Sequence, residues 1–162
     1  MVSARTTSDR TIRLLKADDL EQVITIDRMH TGQARRRFFE KRFEAAKTHP
    51  ADFIHVGVTR DGSLAGFAFA RLLHGEFGRE HTAILDAVGV DPGSQERGVG
   101  PALMQALIEA MRRNDVRALQ SQADWTNHGL MRFFDTSGFK LAPRLVLARS
   151  VAEPLAEPVE EI

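Results

Sequence analysis

The sequence contains no cysteine and no tyrosine among its 162 residues. Without cysteine the chain has no disulfide, no thiolate ligand for zinc and no thiol nucleophile, so an acyl-cysteine intermediate is excluded. Without tyrosine it has no phenolic hydroxyl, so any reaction step that needs such a proton donor must use another group.

An excess of either charge is missing as well. Lys and Arg total 22 and Asp and Glu total 22, so the formal net charge is zero. This balance gives no electrostatic reason to expect nucleic acid or an anionic membrane as a partner. No apolar run is long enough to span a bilayer, and the polar residues 1–10 lack the apolar core of a signal peptide. The sequence therefore predicts a cytoplasmic protein.

Metal-ligand spacing is also absent from the sequence. None of the six histidines lies four residues from another, which is the spacing that places two imidazoles of a helix on one metal ion. We therefore expect no bound metal.

What is present is the composition of one globular domain. Hydrophobic residues make up 43% of the chain and charged residues 27%, which is typical of a protein that buries a core. Residues 1–10 are predicted to be a flexible lead-in and residues 11–150 a single domain. Residues 151–162 are acidic and contain two prolines, which predicts a mobile tail.

Hydrophobic periodicity and turn residues predict the order of the elements. Helices are expected from residue 20 onward, over 33–47, over 98–113 and over 127–136. Strands are expected over 11–15, 53–59, 64–73, 81–90, 116–123, 139–141 and 145–148. Asp61-Gly62 marks a hairpin between the second and third strands. The pattern predicts a mixed α/β sandwich with about seven strands and four helices.

The most informative segment, residues 88–103, runs from a strand through a glycine-containing turn into a helix. Gly98 and Gly100 allow a ligand to approach the backbone closely. The first turn of a helix offers unpaired N–H groups and a partial positive charge, which suits a diphosphate. Leu103 stands where a Rossmann motif needs its third glycine, and a Walker loop's Gly-Lys-Ser/Thr is absent. Two interpretations stay open from these residues alone, an anion site or glycines that only shape the turn.

Two stretches resemble the signatures of a known family. Gln95-Glu96-Arg97-Gly98-Val99-Gly100 resembles the Q/R-x-x-G-x-G/A signature of the GNAT superfamily of N-acetyltransferases. Asn127, followed by Phe133-Phe134-Asp135-Thr136-Ser137-Gly138-Phe139, resembles the second signature, an Asn followed by F-Y-x-x-x-G-F. The resemblance is specific over about residues 80–140 and looser over residues 11–75, where only the order of elements agrees.

The resemblance implies a GNAT-like fold, in which a mixed, mostly antiparallel sheet is splayed between its fourth and fifth strands and flanked by four helices. It implies that acetyl-CoA binds in the opening, with its pantetheine arm paired to the backbone of Val88 and Val90. The diphosphate would sit on backbone N–H groups of the first signature, which are those of Gln95, Glu96, Arg97, Gly98, Val99 and Gly100. The thiol end would be lined by Asn127, Phe133 and Phe134.

The resemblance further implies transfer of an acetyl group to a primary amine. Because the chain has no cysteine, the amine must attack acetyl-CoA directly in a ternary complex, without a covalent enzyme intermediate. A backbone N–H near Val90 is the implied oxyanion donor. Strand alternation puts Asp86 on the same face as Val88 and Val90, so Asp86 is the candidate base; it would otherwise bind the amine or complete a hydrogen-bond network. The other candidates, at the mouth of the same strand, are His81, Glu76 and Glu80.

One position departs from the family pattern. Phe134 stands where many members carry a tyrosine that protonates the leaving thiolate, and a phenylalanine cannot donate a proton. A thiol with a pKa of about 8.5 still leaves tolerably well as its anion. The missing tyrosine favours an alternative function, a non-catalytic sensor or regulatory module that binds CoA or acyl-CoA. The resemblance also implies a homodimer, through the last strands, because members of the family often pair.

Two further features have a simple interpretation and a functional alternative. Arg35-Arg36-Arg37 is the only basic run and is predicted to be a solvated helix face; the alternative is a collar for an acidic substrate or for the 3′-phosphate of CoA. Trp125 is predicted to be a packing residue; the alternatives are that it shapes the acceptor pocket or a dimer contact.

Overall fold

The computed structural model describes residues 10–154. Nearly all of the predicted N-terminal lead-in and most of the predicted acidic tail therefore lie outside the described residues. No helix within residues 10–154 is long and apolar enough to cross a membrane.

Within residues 10–154 the chain forms five strands and four helices. The strands are β1 (Arg10–Leu14), β2 (Phe53–Arg60), β3 (Ser63–Leu72), β4 (Thr82–Val90) and β5 (Ala118–Gln120). The helices are α1 (Leu20–Thr31), α2 (Arg36–Thr48), α3 (Val99–Arg113) and α4 (His128–Thr136). The predicted mixed α/β class and all four predicted helices are confirmed.

The strands form one sheet in the order β1-β2-β3-β4-β5. The first four strands are antiparallel neighbours, and β5 joins β4 in parallel. A parallel neighbour needs a crossover connection, which α3 supplies. The β2–β3 hairpin turns at Asp61 and Gly62, with φ of 50° and 79°, as the Asp-Gly pair predicted.

Helices cover both faces of the sheet and create two cores. On one face α3 buries the residues that recur every fourth position, which are Val99, Leu103, Leu107 and Met111. On the other face α1 and α2 cover an aromatic cluster in which the ring of Phe39 lies 5.6 Å from that of Phe67 and 5.3 Å from that of Phe69. The sheet is therefore buried between α3 and the α1–α2 pair.

The predicted last two strands are not formed. Residues 139–148 contain no strand, so the described sheet has five strands and not about seven. The apolar side chains of Leu141, Leu145, Val146 and Leu147 stay exposed, so no burial offsets the entropic cost of ordering these residues into strands. The fifth strand is also shorter than predicted, Ala118–Gln120 in place of 116–123, because it diverges from β4 after Gln120.

Candidate functional site

The sheet opens between β4 and β5. These strands share only three residue pairs, from Thr82–Ala118 to Ile84–Gln120. The hydroxyl of Ser121 then donates to the carbonyl oxygen of Leu85 at 2.9 Å. Beyond that contact, no backbone hydrogen bond joins the two strands in the part of the chain that the structure describes. The splay predicted between the fourth and fifth strands is confirmed, and the edge of β4 over residues 86–90 borders the opening.

The strand register identifies the backbone groups that face this opening. The N–H of Asp91 donates to the carbonyl of Ala65 at 2.8 Å, so Asp91 points toward β3. Backbone groups alternate in direction along a strand, so those of Val88 and Val90 point away from β3 and into the opening. On the side of the opening, no neighbouring strand therefore pairs with the backbone of Val88 and Val90 that the sequence analysis assigned to the pantetheine arm.

His30, near the end of α1, contacts one of these groups. Its Nε2 lies 2.6 Å from the carbonyl oxygen of Val90. Since a carbonyl oxygen only accepts, Nε2 carries the proton, and in the neutral ring Nδ1 carries a lone pair. The sequence analysis considered histidines only as metal ligands and missed this one. His30 and Val90 meet because α1 packs closely on β4. The closeness is clear at Gly89, where an added Cβ would lie 3.2 Å from the side chain of Ile26 in α1.

The loop between β4 and α3 exposes a run of backbone donors. The N–H of Gln95 donates to the carbonyl of Pro92 at 3.4 Å, and the N–H of Ala102 donates to that of Gly98 at 3.1 Å. Between these two positions, the N–H groups of five consecutive residues make no well-directed hydrogen bond within residues 10–154, namely those of Glu96, Arg97, Gly98, Val99 and Gly100. Five of the six residues predicted to hold a diphosphate therefore have free donors, and Gln95 does not.

Two left-handed residues curl this loop, with φ of 63° at Glu96 and 74° at Gly98. Curled backbone of this kind forms a concavity that binds anions. Arg10, at the start of β1, adds a charge beside it, because its Nη1 donates to the carbonyl of Gly98 at 3.0 Å. The sequence analysis missed Arg10, which it had placed in the flexible lead-in.

The two signatures meet at Gly100. A Cβ added there would lie 3.3 Å from the ring of Phe133 and 3.9 Å from the side chain of Val90. Phe134 lies deeper, is 8% exposed, and packs against Phe139 with ring centroids 4.8 Å apart. Phe133 therefore borders the opening, whereas Phe134 belongs to the core beneath it.

Asn127 begins α4 as its N-cap. Its Oδ1 accepts a hydrogen bond from the N–H of Leu130 at 3.1 Å, which satisfies one of the free donors of the first turn. Trp125, two residues earlier, is 84% exposed, so the prediction that it packs against the core is wrong.

The prediction that Asp86 lies on the same face of β4 as Val88 and Val90 is wrong. Consecutive residues of β3 oppose Leu85 and Ala87, so Asp86 is the extra residue of a β-bulge. The bulge reverses the alternation: Leu85 and Val88 pack on the α3 side, whereas Ala87 packs on the side of α1 and α2. The carboxylate of Asp86 lies on the latter side, across the sheet from the side chains of Val88 and Val90.

Two arginines hold the Asp86 carboxylate. Nε of Arg42 lies 3.0 Å from Oδ2, and Nε of Arg71 lies 3.5 Å from Oδ1. The Arg42 and Asp86 atoms are within hydrogen-bond distance, yet both are buried without a well-directed partner among the described residues. Their contact is therefore an ion pair and not an aligned hydrogen bond. Asp86 thus has cationic partners in place of the apolar neighbours that flank it in sequence.

The other candidate bases lie at the far end of β4. Glu80 and His81 line a cavity of about 280 Å³ at the start of the strand. The distance along β4 from there to Val90 is about 26 Å at ~3.3 Å per residue. Glu76 accepts a hydrogen bond from the backbone N–H of His74, and such backbone bonds lower the pKa of Glu76. None of the three is close to the opening beside Val90.

The basic run is mostly held in ion pairs. Arg35 donates through Nε to the buried Asp27 at 2.8 Å, and Arg36 donates to Glu21 at 2.7 Å. Arg36 and Arg37 are exposed, as expected for a solvated face, but Arg35 is not. A free collar of three arginines is therefore contradicted. Within residues 10–154, no group of three or more His, Asp or Glu side chains could hold a metal ion.

Comparison with known proteins agrees with this geometry. The chain matches the Acetyltransferase (GNAT) family over residues 15–139. It is 28% identical over 137 residues to a mycothiol acetyltransferase of Propionibacterium freudenreichii subsp. shermanii, covering 76% of this chain and 41% of that protein. It is 27% identical over 90 residues to the [Ribosomal protein bS18]-alanine N-acetyltransferase of Escherichia coli K12, covering 56% and 57%. The chain thus spans about half the length of these curated relatives.

Among solved structures, the fold matches AAC(6')-Iy in complex with the bisubstrate analogue CoA-S-monomethyl-acetylneamine. The TM-score is 0.72 at 19% identity, over 88% of this chain and 99% of that one. At this identity the likeness shows a shared fold. The family match is the wider evidence, because it covers well over half of the sequence and includes both signatures. On that evidence the chain belongs to the GNAT family of acetyltransferases.

Proposed function

We propose that the chain binds acetyl-CoA and transfers its acetyl group to a primary amine. The observation that carries this proposal is the run of five free N–H groups over residues 96–100, at the start of α3. A diphosphate needs several convergent donors and a positive potential, and a helix N-terminus provides both. The unpaired edge of β4 lies next to this loop and offers the hydrogen-bonding groups that a pantetheine arm requires.

In this proposal most of the predicted coenzyme-binding residues have a role. The pantetheine amides pair with the backbone of Val88 and Val90, and the thiol end lies toward Asn127, Phe133 and Phe134. The side chain of Arg10 adds a cation at the diphosphate. The carbonyl oxygen of Val90 has two lone pairs, so it can accept a hydrogen bond from a pantetheine amide beside the one from His30.

Transfer is direct in the proposed reaction. The nitrogen of the amine forms a bond to the acetyl carbon, the carbon–sulfur bond breaks, the amine loses a proton, and CoA leaves as its thiolate. The N–H of Val90 points into the opening and is the proposed oxyanion donor. No covalent enzyme intermediate is needed, in keeping with a chain that has no cysteine.

Two ionisable side chains are proposed to serve the amine. His30 contacts the carbonyl of Val90 at the edge of the opening, so we place proton removal at its imidazole ring. Asp86, on the same side of the sheet as α1, is proposed to bind the acceptor while Arg42 and Arg71 fix its carboxylate. If Asp86 is the base instead, Asp86→Asn will remove a limb of the pH–rate profile that His30→Gln leaves in place.

The proposal is tested by titrating purified protein with CoA and then following free thiol with acetyl-CoA and a panel of amines. The relatives suggest two members of the panel, a peptide that begins with alanine and an amino sugar, and a polyamine adds a third class of primary amine. We expect micromolar CoA binding and thiol release with at least one amine. CoA binding without thiol release for any amine would point to a sensor, and no CoA binding would overturn the proposal.

Two glycines with the same backbone conformation provide a matched control. Gly98 has a φ of 74° and lies in the proposed diphosphate loop, whereas Gly62 has a φ of 79° and lies in the β2–β3 hairpin. Alanine in either position costs about 1–2 kcal/mol of backbone strain. We expect Gly98→Ala to weaken CoA binding at least tenfold and Gly62→Ala to leave it unchanged. Equal losses in the two variants would show that the effect is one of stability and not of binding.

A further inference from the structure

Two arginines and one aspartate form a cluster beside the opening, on the side of the sheet that α1 and α2 cover. Asp86 directly follows Leu85, the last residue of β4 that a hydrogen bond links to the segment after β5 among the described residues. Because of the bulge, the carboxylate of Asp86 lies toward α2, where Arg42 meets it. Arg71, opposite Ile84 in the ladder between β3 and β4, reaches the same carboxylate. These three side chains, here called the arginine cluster, therefore lie at the edge of the opening.

The arginine cluster carries more positive than negative charge. Two guanidinium groups share the single carboxylate of Asp86, and both contact it through Nε. The terminal nitrogens of Arg42 and Arg71 make no hydrogen bond with the described residues and are open to solvent. The side chains of Arg42 and Arg71 are 27% and 36% exposed, whereas that of Asp86 is 11% exposed. A ligand that enters from the opening thus meets the two cations before it meets the anion.

Neighbouring carboxylates leave this excess charge in place. Asp27 is held by Arg35, so the charges of that pair cancel. Glu76 forms no ion pair with the arginine cluster in the described part of the chain. Backbone hydrogen bonds, including the one from the N–H of His74, and then the charges of His74 and Arg71 lower the pKa of Glu76. Because Glu76 is exposed, solvent and salt screen its effect on the cluster.

The arginine cluster is held in place before any ligand binds. The guanidinium carbon of Arg42 lies 5.0 Å from the centroid of the ring of Phe38, which is half-buried against the aromatic core. Arg42 and Phe38 are four residues apart in α2, so they share one face of the helix. A guanidinium fixed through Nε offers its two terminal nitrogens as a planar fork that matches a carboxylate. Two such forks side by side suit an anionic group.

We propose that the arginine cluster selects acceptors that carry a carboxylate near the amine, with the carboxylate bound by the terminal nitrogens of Arg42 and Arg71. This inference rests on the proposed transfer to an amine in the same opening. Val90 lies four residues beyond Asp86 on β4, at most about 13 Å away at ~3.3 Å per residue. An acceptor whose carboxylate lies on the cluster therefore reaches Val90 and His30 with an amine up to that distance away. A short peptide with an acidic group near its N-terminus has this form, whereas a polyamine would be repelled.

Matched pairs of acceptors test the selection. The first pair is the peptide alanine-glycine-glutamate with an amidated C-terminus and the same peptide with glutamine. The second pair is alanine-glycine-glycine with a free and with an amidated C-terminus, which separates a terminal from a side-chain carboxylate. We expect kcat/KM, followed by thiol release, to be at least tenfold higher for the acid than for the amide in one pair or both.

The variants Arg42→Gln and Arg71→Gln should reduce this ratio to less than about threefold, because each removes one fork of the anion site. Arg37→Gln is the matched control, since Arg37 is exposed on the same helix as Arg42, and this variant should keep the wild-type ratio. The ratio of acid to amide within one variant does not depend on how much of the protein is folded. A purely structural role for the arginines would lower both rates together and leave the ratio unchanged.

Calorimetric titration of the same peptides, with and without saturating CoA, gives a readout that is independent of turnover. Thiol release that is equal for acid and amide would overturn the selection and leave the proposed transfer intact. No thiol release with any amine would instead overturn the transfer, and equal binding of acid and amide would then decide against the arginine cluster. A preference for the acid that persists in both arginine variants would also overturn the inference, because the anion would then bind elsewhere.

Discussion

At the residue scale, two neighbouring phenylalanines have different surroundings. Phe133 borders the opening at Gly100, whereas Phe134, in the position of the family tyrosine, is packed into the core with Phe139. The ring of Phe134 fills its space in the core. This position therefore contributes packing, whereas the tyrosine of the family signature would contribute a hydroxyl. The packing of the core therefore favours a phenylalanine at position 134, apart from any role that this position has in the site.

We expect Phe134→Tyr to change kcat less than tenfold. A thiol with a pKa of about 8.5 leaves readily as its anion, so an added proton donor removes little of the barrier. Steady-state thiol release with a saturating amine measures the effect, and a thermal melt of the same variant reports the cost of placing a hydroxyl near the core. A gain of several hundredfold would show that protonation of the thiolate limits the wild-type reaction.

At the element scale, an ion pair between Arg35 and Asp27 stabilises the turn between α1 and α2. The sequence of the basic run alone did not predict this pair. Asp27 is 3% exposed, and Arg35 bonds to it while lying 5.0 Å from the ring of Phe38. Arg36, the next residue, pairs with the exposed Glu21. Neighbouring arginines thus make one part-buried pair and one surface pair.

Replacing each arginine by methionine should separate these two roles. Arg35→Met leaves the buried Asp27 without its cation and should lower the free energy of unfolding by about 2–4 kcal/mol, at the lower end for buried pairs because Arg35 is itself half-exposed. Arg36→Met should cost less than about 1 kcal/mol. Urea unfolding at neutral pH measures both. Equal costs would contradict a structural role for the Asp27–Arg35 pair.

The same scale shows what local sequence determines. Helix α3 was predictable because its apolar residues recur every fourth position, and the β2–β3 hairpin because Asp-Gly accepts positive φ. Both signals lie within one element. The bulge at Asp86 was not predictable, since it depends on how β4 aligns with β3, and one extra residue was enough to move the carboxylate to the other face of the sheet.

The candidate site divides in the same way. The diphosphate loop could be predicted because its donors are consecutive in sequence. The contact between His30 and Val90 could not, since it joins residues 60 positions apart and depends on how α1 packs on β4. The role of Arg10 could not be predicted for the same reason, because only the alignment of β1 with β2 brings Arg10 beside the diphosphate loop. The last two strands were predicted from their apolar pattern, which favours a strand but does not show whether a neighbouring strand is there to pair with it.

At the scale of the whole molecule, a buried histidine links stability to pH. His55 is 6% exposed among the aromatic core residues, and its Nε2 has no hydrogen-bond partner among the described residues. Burial, and then the charge of Arg42, lowers the pKa of His55 from 6.5 to about 4. Between these pH values the unfolded chain takes up a proton that the folded chain does not.

The free energy of unfolding should therefore fall as the pH drops from 6.5 to about 4, by up to about 3 kcal/mol from this residue, and should gain nothing from it above that range. His55→Phe should reduce this loss, because the group that titrates is gone. Urea unfolding at pH 7.5 and pH 5 measures the difference, with His49→Gln, at an exposed position, as the control. An unchanged pH dependence in His55→Phe would show that other groups govern acid stability.

The short ladder between β4 and β5 has a consequence for local opening. Among the described residues, three residue pairs, the hydrogen bonds from the N–H groups of Arg117 and Ala118 to the carbonyl of His81, and one serine hydroxyl join the end strand to the rest of the sheet. Amide protons of β5 should therefore exchange with solvent through frequent local opening of the β4–β5 pairing. Amide protons of β2 and β3, which are paired along their full length, should exchange only on global unfolding. The least stable strand pairing of the sheet thus lies beside the opening, between β4 and β5.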